Sequence, residues 1–213
     1  MKLMLALDVI NRNDALNIVK KTEKYVDSIK IGYPLVLGTG LNIVKEIKEL
    51  TNKEVICDFK VADIPSTNEK IGEHTLKYAD GIICHGFVGS DSIKALLNVA
   101  KKYNKKVIVV TEMSHPGAIE FLQLVGNDLA KLAKELNVNG IVAPATRPER
   151  LKEIKDIVGN IPIISPGVGA QGGKLDEVKK ILTNNDYIIV GRSIYNSENP
   201  EKEAKKYSEL IKN

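Results

Sequence analysis

Tryptophan is absent from this chain, and histidine, methionine and phenylalanine occur three times each. No spacing of those histidines with the two cysteines and the carboxylates makes a zinc site, so no metal is expected. Cys57 and Cys84 lie inside the apolar runs VICDF and IICHG, the setting of buried free thiols in a reducing compartment rather than of a disulfide scaffold. No segment approaches the roughly 20 apolar residues of a membrane span. No run of like charge reaches the length of about five or six that marks a nucleic-acid tail. The N-terminus MKLMLALDVI is apolar for only about six residues before Asp8 interrupts it, short of a secretory signal. The expectation is a cytoplasmic protein with neither a nucleic-acid nor a membrane partner. No Pro/Gly/Ser-rich linker divides the 213 residues, so one domain over 1–213 is expected.

With 43% hydrophobic residues the chain can bury a full core, and 27% charged residues leave it a solvated surface. The net charge of +4 fits an anionic small substrate and a lysine-rich surface equally well. Short apolar, β-branched runs recur along the chain: 3–8, 28–33, 54–59, 81–86, 106–113, 140–145, 161–167 and 187–193. Each is apolar almost throughout, as strands are when a parallel sheet is covered on both faces. Amphipathic stretches such as 14–25 and 127–137 separate them. Thr146-Arg147-Pro148-Glu149 has the form of a helix capping box, and Asn199-Pro200 places proline at the first position of a terminal helix. Eight strand–helix units in an unbroken α/β chain are most simply a (β/α)8, or TIM, barrel, with an open doubly wound sheet as the alternative.

A barrel of this kind carries its site at the C-terminal strand ends. Those ends hold Asp8, Lys30, Asp58 with Lys60, His85, Ser114, the loop Ser165–Gly173, and Gly191-Arg192. In the seventh loop four glycines (167, 169, 172, 173) fall within seven residues, which lets backbone N–H groups approach an anion. Arg192, one of only four arginines, adds a fork of donors suited to phosphate. A flexible loop beside a surface arginine is the plainer alternative. Asp58 and Lys60, two apart on a strand, should point the same way. They could simply neutralise one another, but Lys30 on the neighbouring strand and Asp63 would extend them into an alternating network. Asp63 lies past the strand end beside Pro65, where the chain turns, so a neighbouring subunit is a natural place for it to point. His85 and His115 read as structural, and His74 as a surface residue of a helix.

The run Asp58-Phe59-Lys60-Val61-Ala62-Asp63-Ile64-Pro65 resembles the signature of the orotidine 5′-monophosphate decarboxylases. The likeness extends along the chain through LALD, KIGYPLVL, HGF, MSHPGA, PGVGAQGG and VGRSIY. It implies a cofactor-free carboxy-lyase that converts orotidine 5′-monophosphate to UMP, the last step of de novo pyrimidine nucleotide synthesis. By this resemblance Lys60, Asp58, Asp63 and Lys30 are the catalytic residues. It likewise implies substrate-binding roles for Asp8, Ile64, Thr67, Ser114, Pro166, Val168, Gln171, Gly191 and Arg192. It implies also a homodimer in which Asp63, Ile64 and Thr67 serve the other subunit's site.

Two rivals share parts of this pattern. The ketogulonate-phosphate decarboxylases and hexulose-phosphate synthases carry a similar Asp-x-Lys-x-x-Asp run but use Mg²⁺, and their second strand typically supplies a carboxylate to the metal. Lys30 puts a cation there instead. A non-catalytic phosphate-binding barrel would keep the glycine loop and Arg192, but has no reason to retain four costly charges together.

Overall fold

Near-continuous apolar strands need cover on both faces, and a parallel sheet closed on itself inside a ring of helices supplies it. The computed structural model, which describes residues 1–168 and 175–212, has this form. The strands are β1 (Lys2–Leu7), β2 (Ser28–Gly32), β3 (Glu54–Val61), β4 (Gly81–His85), β5 (Lys106–Val110), β6 (Gly140–Val142), β7 (Ile163–Pro166) and β8 (Tyr187–Val190). All neighbours pair in parallel and in chain order, and β8 returns to β1 with Tyr187 opposite Lys2. The helices between them are α1 (Arg12–Thr22), α2 (Tyr33–Thr39), α3 (Asn42–Leu50), α4 (Pro65–Thr75), α5 (Ser90–Tyr103), α6 (Leu122–Glu135), α7 (Pro148–Val158), α8 (Leu175–Lys179), α9 (Arg192–Tyr195) and α10 (Pro200–Lys212). Among the described residues, no helix is long and apolar enough to cross a membrane.

Alternation along the strands divides the apolar residues into two cores. Met4, Ile56 and Ile108 fill the barrel with Ile83, Val142, Ile164 and Ile189. Leu3, Leu5, Ile29, Val55, Val107 and Ile188 face outward against the helices. Several strands stop short of the apolar runs that predict them. β5 ends at Val110 because Thr111 N–H and Glu112 N–H both turn to the Val142 carbonyl, at 3.2 and 3.3 Å, and the ladder ceases. The helix over 14–25 begins earlier, at Arg12, because the Asn11 side chain accepts the N–H groups of Asn13 and Asp14 at 2.8 and 3.2 Å. Asn199 likewise caps α10 by accepting the Lys202 N–H at 3.0 Å.

The capping box expected at Thr146 does not form. Arg147 occupies the cap position of α7 and makes no side-chain cap bond, while the Thr146 hydroxyl donates to the Ser114 carbonyl at 2.9 Å. A proline at the first helical position lacks an N–H to satisfy, so the helix starts without that cap and leaves the threonine to serve the neighbouring loop.

The N-terminal rim of the barrel carries a repeat that the strand pattern alone did not suggest. The residue just before each even-numbered strand accepts an N–H near the start of the preceding strand. Asp27 takes Leu3 at 2.8 Å, Asp80 takes Val55 at 3.0 Å, Asn139 takes Val107 at 2.9 Å and Asp186 takes Ile163 at 2.7 Å. Each bond ties two adjacent strands together below the core. Asp186 is fully buried and also accepts from Thr183 N–H, Thr183 hydroxyl and Lys155 Nζ. Burial would raise the Asp80 carboxyl, but Lys48, the Val55 N–H and Lys105 together hold it below the usual range. Asp186→Ala, which leaves Lys155 and a buried N–H without their acceptor, should cost about 3–5 kcal/mol in urea unfolding. Asn139→Ala, which removes one exposed neutral acceptor, should cost about 1 kcal/mol. Equal losses would show that the two positions do not differ in this way.

Candidate active site

At the C-terminal strand ends a cleft of about 840 Å³ opens, and the charged residues singled out from the sequence converge on its floor. Asp58 from β3 accepts on both oxygens: Lys30 Nζ from β2 lies 2.7 Å from Oδ2, and Lys60 Nζ lies 2.8 Å from Oδ1. Asp8, at the end of β1, stands 3.7 Å from Lys30 Nζ. The row therefore alternates in sign from Asp8 to Lys30 to Asp58 to Lys60. The side chains of Lys30 and Asp58 are only 8% and 9% exposed, whereas those of Asp8 and Lys60 are about one-third exposed and look into the cleft.

Charges this far from water persist only because they are paired. Burial would raise the Asp58 carboxyl, but Lys30 and Lys60 outweigh it and hold the group below the ordinary carboxylate range. Burial would also lower the Lys30 ammonium, but Asp58 and Asp8 hold it above its ordinary value. By linkage, Asp58 stabilises the fold above its unfolded pKa of about 4 and loses that contribution as pH falls through the lower folded value. Lys30 contributes below its unfolded value of about 10.4 and loses it as pH rises through the higher folded one. Both stay ionised at neutral pH.

Two backbone features make the row possible. Gly32 lies beside Asp8, and a Cβ there would collide with Asp8 Oδ1. Lys60 has φ +44°, a left-handed conformation that non-glycine residues seldom adopt, and the pairing of β3 with β4 slips between Cys57 and Val61. Asp58 and Lys60 do converge, but on an irregular strand end, so simple alternation is not what aims the lysine. The backbone strain sits at the residue whose ammonium meets the cleft, where strained residues tend to cluster.

The remaining sequence-predicted residues fall in three places. Ser114, Pro166, Val168, Gly191 and Arg192 line the cleft, with Ser114 and Arg192 at the mouths of different loops. A side chain at Gly191 would press on Ala6 and Tyr195, at 3.1 and 3.2 Å. Gln171 and the glycines at 169, 172 and 173 lie outside the described residues. Asp63 is exposed at the cleft rim and, among the described residues, makes no ion pair with the buried row; its carboxylate accepts the N–H of the adjacent Ile64 at 2.7 Å. Buried Asn68 accepts the Asp63 N–H at 3.2 Å, and Ser92 donates to the Asp63 carbonyl at 2.8 Å, so this loop is fixed while Ile64 remains 62% exposed. Thr67, in the first turn of α4, is half-buried.

Of the histidines, His115 lines the cleft and His74 is exposed on α4. His85 is half-buried against the Phe87 ring at 4.7 Å, and burial followed by the nearby Lys60 charge pushes its pKa down. Its Nδ1 is buried without a hydrogen-bond partner among the described residues. Sequence reasoning missed the stacked pair Tyr33 and Phe59, 5.2 Å apart, which with Tyr195 forms aromatic lining of the cleft. It missed the Asp8–Lys30 contact too, because nothing in a linear sequence shows which strand end reaches across to its neighbour.

Residues 1–207 match the family model described as orotidine 5′-phosphate decarboxylase / HUMPS. The chain belongs to this family. It is 70% identical to the orotidine 5′-phosphate decarboxylase of Methanococcus maripaludis strain S2, over 97% of this chain and 95% of that one. It is 67% identical to that of Methanocaldococcus jannaschii, over 99% and 98%. A crystal structure of orotidine 5′-monophosphate decarboxylase from the latter organism, complexed with the inhibitor BMP, superposes with a TM-score of 0.97 at 66% identity, covering 100% of this chain and 99% of that one.

The orotidine 5′-phosphate decarboxylase / HUMPS description spans both chemistries weighed from the sequence, and the buried row bears on the choice. The carboxylates of Asp8 and Asp58 have the Lys30 ammonium between them, so the second strand places a cation where the metal-dependent relatives place a carboxylate. Among the described residues no group of three or more histidine, cysteine and acidic side chains could hold a metal ion. The strain at Lys60 has a measurable consequence. Lys60→Gly should be roughly 1 kcal/mol more stable to denaturant than Lys60→Ala, because only glycine accepts φ +44° freely, even after its extra unfolded-state entropy is subtracted. An alanine variant as stable as the glycine variant would place no strain at this residue.

Proposed function

We propose that the chain decarboxylates orotidine 5′-monophosphate to UMP, without metal or organic cofactor, as the last step of de novo pyrimidine nucleotide synthesis. The observation that carries this reading is a buried carboxylate, Asp58, clasped between two ammonium groups at the floor of a cleft that Arg192 also lines.

The chemical demand is severe. When the C6–carboxylate bond breaks, the electron pair stays in the plane of the pyrimidine, orthogonal to the π system, and no electron sink delocalises it. A fixed positive charge in a water-poor site is the remaining means of stabilisation. Lys60 fills that role: its ammonium faces C6, stabilises the carbanion as CO₂ departs, and then gives C6 the replacement proton. Asp58 holds Lys60 in place beside the substrate carboxylate, and Lys30 in turn holds Asp58 and meets the ribose. Asp8 accepts a ribose hydroxyl, and Ser114 meets the amide edge of the base. Arg192, Gly191, Pro166 and Val168 cradle the phosphate end together with Gln171. Binding energy at that remote end then helps organise the reacting centre.

The reading includes a homodimer with shared sites, in the cytoplasm. Asp63, Ile64 and Thr67 act in the partner's cleft, which accords with a rigidly pinned loop whose carboxylate and large apolar side chain both face outward. The exposed Ile10, Leu37 and Phe87 are further apolar side chains that a second subunit would cover.

Two experiments test the reading. Turnover of orotidine 5′-monophosphate to UMP should be undiminished in excess EDTA; activity that is lost and then restored by Mg²⁺ would overturn the metal-free reading. Lys60→Ala and Asp63→Ala should each be nearly inactive as pure proteins. Mixed dimers of the two should recover one working site in two, since one cleft then combines an intact Lys60 with an intact Asp63 from its neighbour. A verified mixed dimer with no recovered activity would confine Asp63 to its own subunit.

A further inference from the structure

Outside the cleft, Glu112 is a fully buried charge, the one charged residue in the run VIVVTEM. Its carboxylate is fully buried and both oxygens are occupied: Oε1 accepts from Arg147 Nε at 3.1 Å and Oε2 from Arg150 Nε at 3.1 Å. Helix α6 closes over this pair at Gly126, where a Cβ would lie 3.0 Å from Glu112 Oε2 and 3.1 Å from Arg150 Nη2. Arg147 spends the rest of its guanidinium on the loop after β5. Nη2 donates to the Met113 carbonyl and Nη1 to the His115 carbonyl at 3.5 Å, while the adjacent Thr146 hydroxyl donates to the Ser114 carbonyl at 2.9 Å.

Three consecutive carbonyls are thus held by two consecutive residues of the β6–α7 loop. Met113, Ser114 and His115 line the cleft, whereas Glu112, Thr146 and Arg147 do not; the last two face a side cavity of about 490 Å³. The arrangement needs an arginine. Only a planar fork can place one N–H on a carboxylate and others on two carbonyls at once, and a lysine ammonium cannot span them.

We propose that Glu112, Arg147 and Thr146 are positioning residues that set Ser114 at the angle needed to read the pyrimidine, and so govern the base-dependent part of substrate recognition. The inference rests on the decarboxylase reading, in which Ser114 meets the amide edge of the base. Buried Glu112 fixes Arg147, Arg147 and Thr146 fix the loop backbone, and the loop backbone fixes Ser114.

The test compares two ligands that share ribose and phosphate but differ in the base: UMP and ribose 5-phosphate. Arg147→Ala should weaken UMP binding by about tenfold or more and leave ribose 5-phosphate affinity within about twofold. Thr146→Val should weaken UMP alone by about threefold. Combined with Ser114→Ala, neither change should weaken UMP further, because both act through that residue. Equal losses on the two ligands, unchanged UMP affinity, or losses that multiply in the double variants would overturn the proposal. If Arg147→Ala does not fold, Thr146→Val is judged on the same criteria. A wild-type protein that binds both ligands yet fails to decarboxylate orotidine 5′-monophosphate would overturn the decarboxylase reading instead, with the two-ligand comparison still deciding the positioning role.

Discussion

The ionised carboxylate of Asp58, withdrawn from water and held by Lys30 and Lys60, is the constraint around which the upper half of the barrel is arranged. An isolated charge at that depth would be neutralised or would unfold its surroundings. Two ammonium groups at 2.7 and 2.8 Å keep it ionised, and Lys30 is itself kept protonated by Asp58 and Asp8. Removing either inner member, Lys30 or Asp58, would leave an outer one without its partner in the row. The same pairing fixes the Lys60 ammonium in space, and in the proposed decarboxylation a fixed charge is worth more to a developing carbanion than a mobile one because no reorganisation is needed when the bond breaks.

Holding the row together carries local costs. Gly32 forgoes a side chain so that Asp8 can approach Lys30, and Lys60 accepts a left-handed backbone at a strand end where β3 and β4 lose register. These departures are confined to the C-terminal ends of the first three strands. The N-terminal rim shows the opposite character, with Asp27, Asp80, Asn139 and Asp186 repeating one hydrogen-bonding device around the barrel. Stability is concentrated at one end of the strands and strain at the other, so the strained end rests on a frame that is well tied below.

Much of the architecture was legible before any coordinates. Eight β-branched runs separated by amphipathic stretches implied a closed parallel barrel, and a barrel implied that Asp8, Lys30, Asp58 and Lys60 would meet at its mouth. Boundaries were less legible. The run continuing past Val142 stays apolar because it is buried, not because the ladder continues, and composition does not distinguish the two. Thr146 carried the pattern of a cap yet serves the neighbouring loop, because its hydroxyl lies within reach of the Ser114 carbonyl. Glu112 offered a signal that went unread: one charge inside an apolar run implies a buried partner, and Arg147 and Arg150 are two of only four arginines in the chain.

The sequence by itself determined the periodicities, and through them the barrel, the identity of the charged residues at the strand ends and the family to which the chain belongs. These follow from local spacing and residue type. Only the tertiary structure decided the order of charges in the row, with Asp8 rather than Asp63 completing it within the subunit, and the left-handed backbone that aims Lys60. Those depend on distances between strands remote in the chain, and burial then sets which charges stay ionised.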